Sequence, residues 1–183
     1  MKTRKMQIGV IGSAADLGYE QSTVEIARSV GVSIAKRNCV LIFGAEKDCD
    51  SLSTQAALAA RQVGGMTLGV TYDKGLDIFN PDAATAVIAT GLVRGGGREL
   101  VQSLSCDGLV GIGGGSGTLN ELTVAYQANI PVVVMAKTGG WSELLENDYL
   151  DRRCRYRYEA FTNTEEAINR LLEMVQLKEE KTL

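Results

Sequence analysis

The strongest chemical signal in the sequence is GLVGIGGGSGTLNEL, Gly108 to Leu122. An apolar run leads straight into Gly113, Gly114, Gly115, Ser116 and Gly117, and a helical pattern opens at Thr118. Glycines tolerate positive φ and let a ligand approach the backbone closely. Free N–H groups and the positive dipole end of a helix starting there form an anion site, and phosphate is the usual occupant. Gly114, Gly115, Ser116, Gly117 and Thr118 are therefore the candidate phosphate-binding residues. Neither common phosphate motif fits. Gly117 stands where a Walker A loop needs Lys, and from Gly111 the frame reads G-I-G-G-G-S instead of GxGxxG. A purely structural turn is the alternative, but four glycines in five residues carry a large entropic cost unless the backbone must approach something.

Three side chains accompany this loop. Glu121, one turn into the helix, can project its carboxylate beside the loop, and at this spacing it equally suits a capping or dipole partner. Arg98 closes the cluster Arg94-Gly95-Gly96-Gly97-Arg98 and opens the next helical segment. Its planar fork suits phosphate or carboxylate, and a solvated surface arginine is the other reading. Trp141, the only tryptophan, follows Thr138-Gly139-Gly140. It could stack a heterocycle or pack in the core or at a subunit contact.

Composition limits what these residues can do. The 183 residues include no histidine, which excludes Ser-His-Asp and Cys-His catalysis and the usual His-based metal sites. Cys39, Cys49, Cys106 and Cys154 form no CxxC pair; Cys39 and Cys106 border apolar runs and read as buried free thiols. Lys+Arg 19 against Asp+Glu 22 gives a net charge of −3, which argues against a nucleic-acid binder. Arg152, Arg153, Arg155 and Arg157, interleaved with Tyr156 and Tyr158, form the one basic run and read as a solvated edge or an oligomer contact. The apolar run within MKTRKMQIGVIGS is only about six residues long, shorter than a secretory core, and no run approaches the roughly 18–20 residues of a membrane span. The expectation is a cytoplasmic protein with no membrane partner.

The elements that must position the site follow from periodicity. Short β-branched runs at Gln7–Ile11, Cys39–Phe43, Thr67–Tyr72, Thr85–Ala89, Leu109–Ile112 and Val132–Met135 read as strands covered on both faces. Helical segments run from about Ser22 to Lys36, Ser53 to Val63, Gly97 to Ser105, Thr118 to Ala128 and Glu165 to Leu177. For the last, Thr162 and Glu165 suggest a capping box, and residues 179–183 a frayed tail. The alternation predicts a single α/β domain over residues 1–183: three layers, doubly wound, Rossmann-like, with a mostly parallel sheet. In such sheets ligands bind beyond the carboxyl ends of the strands, which draws Gly12 and Ser13, after the first strand, into the candidate site.

GGGSGTLNE at Gly113 to Glu121 resembles the PGGxGTxxE signature of the Lonely Guy (LOG) family, once described as lysine decarboxylases. Arg98 lies 23 residues before Glu121, the family's interval between its catalytic Arg and Glu. The similarity covers most of the chain, including IGVIGS, VGGMTLGV, TGGW and NTEEAINRL. It is nearest to the branch that contains molybdenum cofactor carrier proteins. Gly113 stands where LOG enzymes have Pro, and Glu99 and Gln102 where they have Lys and Met. The glycine-rich loop that LOG enzymes and the carrier branch both have after the second strand is replaced by GAEKDCDSLS, Gly44 to Ser53, whose Glu46, Asp48 and Asp50 make that side of the crevice acidic unless Lys47 offsets them.

The resemblance implies hydrolysis of the N-glycosidic bond of a nucleoside 5′-monophosphate to free base and ribose 5-phosphate. Glu121 would stabilise an oxocarbenium-like state or activate water, Arg98 would orient it, and the glycine loop would hold the phosphate. No metal or cofactor is required. The alternative is a carrier without chemistry, with molybdenum cofactor or another phosphorylated pterin as cargo. Retention of the Arg–Glu pair tips the reading toward the hydrolase. The resemblance also implies a homo-oligomer, a dimer or higher.

Overall fold

The computed structural model describes residues 4–180. In chain order the elements are β1 (Gln7–Gly12), α1 (Gln21–Lys36), β2 (Val40–Gly44), α2 (Leu52–Gln62), β3 (Met66–Thr71), β4 (Ala86–Ala89) and α3 (Arg98–Leu104). There follow β5 (Gly108–Ile112), α4 (Ser116–Gln127), β6 (Val132–Met135), α5 (Gly140–Leu144), β7 (Glu159–Phe161) and α6 (Thr164–Glu180). The strands form one 7-stranded sheet in the order β4-β3-β2-β1-β5-β6-β7. Every pairing within it is parallel, so the mostly parallel sheet expected from the sequence is wholly parallel among the described residues.

The continuous apolar runs fit this arrangement because the central strands are covered twice. On one face, Ala27, Val30 and Ile34 of α1, Leu52 and Ala56 of α2, and Ile168 and Leu171 of α6 pack on Ile8, Val10, Leu41 and Phe43. On the other, Leu122, Ala125 and Tyr126 of α4 pack on Ile11, Ile42, Leu109 and Val134. After β1 the chain builds outward through β4, then returns to lay β5 against the other side of β1. Strand order reverses there, and loops leaving the carboxyl ends of β1 and β5 must diverge and leave a crevice.

The structure differs from the sequence reading at β4, β7, α5 and the ends of α4 and α6. β4 is an edge strand whose residues are all exposed, so its apolar run is not covered on both faces. β7 and α5 were not anticipated. The first has only three residues, and the second was read as loop because two glycines precede its tryptophan. α4 begins at Ser116 instead of Thr118. The start of α6 is capped by Asn163, whose Oδ1 accepts from the Glu165 and Glu166 amides at 2.9 and 3.2 Å, in place of the expected Thr162 box. α6 also persists through Glu180; the remainder of the expected frayed tail lies outside the described residues. The four cysteines are free, with Cys39 and Cys106 buried.

Burying Ile168, Leu171 and Val175 contributes about 1.5–3 kcal/mol each and holds α6 in place, while a side-chain cap contributes about 1 kcal/mol. Asn163→Ala should therefore lower Tm by about 2–4 °C in a thermal melt and leave the fold intact. Thr162→Ala should lie within about 1 °C of the parent; an equal loss there would reject Asn163 as the cap.

Candidate functional site

The glycine loop after β5 is locked at its first half and open at its second. Gly113 donates its amide to Thr138 Oγ1 at 2.9 Å, and Gly114 donates to Ser13 Oγ at 2.8 Å. The carbonyls of the same two glycines accept from the Ser142 and Trp141 amides at 3.0 Å. Gly114 has φ +105°, and a Cβ there would collide with the Thr118 side chain, so the turn into α4 admits only glycine. Beyond it, α4 starts without any side-chain cap. Among the described residues no acceptor reaches the amides of Ser116, Gly117 and Thr118. Three unsatisfied donors and the positive dipole end of a twelve-residue helix constitute an anion site.

The neighbouring helix end is closed. Asp50 Oδ1 accepts from the Ser51 amide at 2.8 Å, Ser13 O from Leu52 at 2.9 Å, and Ser51 Oγ from Thr54 at 3.1 Å. The acidic Gly44–Ser53 loop thus satisfies the start of α2 with the chain's own groups. Of these two helix starts, α4 is the one that leaves its first three amides open to an anion.

Between these ends lies a cavity of about 760 Å³. Gly12, Arg98, Glu121 and residues 115–118 line it, together with Glu46, Tyr72, Glu99 and Gln102. Ser13 and Gly114 lie just behind the wall, bonded to one another. Trp141 is not part of the lining; it packs against the cluster that contains Leu122 and Tyr126. The amides of Trp141 and its neighbour Ser142 hold the glycine loop, so the Thr138–Trp141 segment supports the cavity wall. The basic run also turns out differently on its two sides. Arg152, Arg153, Arg155 and Arg157 are exposed, whereas Tyr158 is buried and stacks edge-on with Tyr156.

Arg98 is the centre of the cavity's charge. Its Nη2 donates to Glu46 Oε1 at 2.6 Å and to the Tyr72 hydroxyl at 2.8 Å. Its Nη1 donates to Gln102 Oε1 at 2.6 Å and lies 3.5 Å from Glu121 Oε1. The guanidinium lies 4.5 Å from the centre of the Tyr72 ring, a cation–π contact. The Tyr72 hydroxyl in turn donates to Glu99 Oε1 at 2.6 Å, and Arg94 reaches Glu46 Oε2 at 3.2 Å. Arg98 is 5% exposed, and the lack of a side chain at Gly44 makes room for it, since a Cβ there would strike Nη1.

Two carboxyls in this cluster respond oppositely. Burial pushes the Glu121 carboxyl up to about 8; Arg98 offsets this only in part, and Glu99 and Glu46 push further in the same direction. Burial also opposes charge on Glu99, but the Tyr72 hydroxyl and Arg98 together hold it below the usual range. At neutral pH Glu99 is ionised and Glu121 mostly carries its proton. Tyr72 itself is pushed up to about 12, by burial first and by its bond to Glu99 second.

The structure therefore brings Arg98, Glu121 and the glycine loop into one cavity. Tyr72 and the clamp formed by Glu46 were missed in sequence. The signal for Tyr72 was its position at the carboxyl end of the third apolar run. For Glu46 it was the acidic loop, read only as a departure from the family. Among the described residues no His/Cys/Asp/Glu group of three or more is arranged to hold a metal ion.

A parallel sheet that reverses strand order beside an uncapped, glycine-rich helix start defines a Rossmann-like protein of the nucleotide-binding type. More narrowly, the chain belongs to the SLOG cluster4 family, whose model matches residues 5–168, in keeping with the LOG-like resemblance of its motifs. It is 35% identical over 122 residues to an uncharacterized protein of Archaeoglobus fulgidus, a match covering 67% of this chain and 74% of that one. The molybdenum cofactor carrier protein of Chlamydomonas reinhardtii superposes with a TM-score of 0.78 at 26% identity, covering 94% of this chain and 99% of that one. In fold it is also similar to the structural-genomics protein TM1055 (TM-score 0.80, 24% identity, 92% and 99% covered). The molybdenum cofactor binding protein of Rippkaea orientalis is likewise similar in fold (0.79, 24%, 95% and 99%).

Because Glu121 rises from an ordinary 4.5 to about 8, the folded state holds a proton that the unfolded chain releases. Stability contributed by that proton is present below pH 4.5 and lost as pH rises toward 8. Glu121→Gln, which cannot ionise, should match the parent's Tm within about 2 °C at pH 5 and exceed it by about 5 °C or more at pH 8.5. Parallel Tm-against-pH curves for the two proteins would reject the buried, protonated carboxyl.

Proposed function

We propose that the protein binds a phosphorylated heterocycle, either molybdenum cofactor or another phosphorylated pterin or a nucleotide, and does not transform it. The phosphate would sit on the Ser116, Gly117 and Thr118 amides, with the ring deeper in the cavity near Tyr72. The observation that carries this reading is the partner choice of Arg98. Its close ion pair is with Glu46 at 2.6 Å, while Glu121 lies at 3.5 Å. Ribosyl transfer through an oxocarbenium-like state needs a negative carboxylate facing the sugar. Here Glu121 is kept protonated and Arg98 is neutralised by a residue from the Gly44–Ser53 loop. The likeness to the Chlamydomonas reinhardtii carrier, at 26% identity over nearly its whole length, supports molybdenum cofactor as the cargo.

One observation favours the nucleoside 5′-monophosphate phosphoribohydrolase instead. Glu121 and Arg98 both line the cavity, and a carboxyl that keeps its proton at neutral pH suits a general acid for the departing base. In that mechanism Glu121 protonates the departing base as the glycosidic bond breaks, water adds to the anomeric carbon, and the proton that water loses restores the Glu121 carboxyl.

Incubation with AMP, GMP, CMP and a cytokinin ribotide separates the two. The binding reading expects no free base above the protein-free control, and retention of molybdenum cofactor at micromolar or better affinity. Base release that disappears in Glu121→Ala and declines above about pH 8 would replace it with the hydrolase.

A further inference from the structure

Glu99 and Gln102 stand one turn apart on α3, and both line the cavity. Each uses one terminal atom within the Arg98 cluster: Glu99 Oε1 accepts from Tyr72, and Gln102 Oε1 accepts from Arg98. The other two terminal atoms, Glu99 Oε2 and Gln102 Nε2, have no partner among the described residues. The two residues are 6% and 0% exposed, and both free atoms are buried. A buried acceptor and a buried donor left unmatched are costly unless something that enters the site completes them.

We propose that Glu99 and Gln102 read the ring of the bound ligand and select a 2-amino-4-oxo pyrimidine edge, the edge shared by guanine and the pterins. The inference rests on the reading that this cavity holds a phosphorylated heterocycle. A carboxylate only accepts, and the Gln102 amide nitrogen only donates. The ring must therefore offer hydrogens to Glu99 and an oxygen or bare nitrogen to Gln102. The 2-amino-4-oxo edge presents two N–H groups to the carboxylate, one to the free Oε2 and one to the second lone pair of Oε1 beside the Tyr72 bond, and its carbonyl to the amide. Hypoxanthine lacks the amino hydrogen. Adenine offers a single amino group beside a bare ring nitrogen, so it makes one bond fewer. Tyr72 and Arg98 keep Glu99 ionised, so it remains an acceptor at neutral pH. The terminal torsions of Glu and Gln are soft, so a small rotation turns both free atoms toward a ring in the cavity.

Calorimetric titration of the full chain with GMP, a pterin monophosphate, IMP, AMP and ribose 5-phosphate tests this. GMP, the pterin monophosphate or both should bind at least about tenfold tighter than IMP and AMP. Which of the two shows the preference identifies the source of the ring. Glu99→Gln should remove the preference and leave ribose 5-phosphate binding unchanged, which also shows that the variant folds. Gln102→Met, similar in volume, should weaken the ligands that carry the ring carbonyl. If ribose 5-phosphate binds and the nucleotides and pterin do not differ, ring selection by Glu99 and Gln102 is wrong while the phosphate site stands. If ribose 5-phosphate and all the ring ligands fail to bind, the phosphate reading falls and this inference falls with it.

Discussion

A guanidinium held almost out of water governs the site. Arg98 cannot shed its charge, and burying it is tolerable because both terminal nitrogens are matched, Glu46 and Tyr72 on one and Gln102 on the other, with the Tyr72 ring against its face. Each partner is then constrained in turn. Gly44 must lack a side chain, Tyr72 must donate its hydroxyl hydrogen bond to Glu99, and Glu46 at 2.6 Å makes a closer ion pair than Glu121 at 3.5 Å. Burial, with Glu99 and Glu46 adding negative charge close by, keeps the proton on Glu121. The geometry of one arginine thus sets the charge state of the whole cavity.

The phosphate end is built on a different logic. There the chain leaves donors unsatisfied on purpose at one helix and satisfies them with Asp50, Ser51 and Ser13 at its neighbour. Both helix starts point toward the same crevice because strand order reverses between β1 and β5. The loop that departs most from the LOG pattern has two effects. It closes the start of α2 with Asp50 and sends Glu46 to Arg98. The same loop thus acts on both sides of the cavity, on a helix start and on the buried arginine.

Where sequence reasoning fell short, a physical cause can be named. β7 is three half-buried residues long, too short for any period to appear. β4 has the composition of a covered strand but stands at the sheet edge, because hydrophobicity along a run does not say how many neighbours the strand acquires. Trp141 follows a glycine pair, and α5, a helix of one turn and a half, sets its partly buried ring against the cluster that contains Leu122 and Tyr126. Asn163 displaced Thr162 as cap by one residue, within the uncertainty of any helix boundary read from pattern alone.

The sequence by itself determined what depends on neighbours along the chain. The strand runs, the long helices, the glycine turn that needs positive φ and the absence of any imidazole were all readable, since each is a property of a few consecutive residues or of composition. Only the tertiary structure decided which groups share the cavity and in which protonation state. Glu46 lies 52 residues before Arg98 and Tyr72 lies 26 before it. Nothing in local spacing says that parallel strands will carry both to one guanidinium, or that the same packing will exclude the water Glu121 would need to ionise.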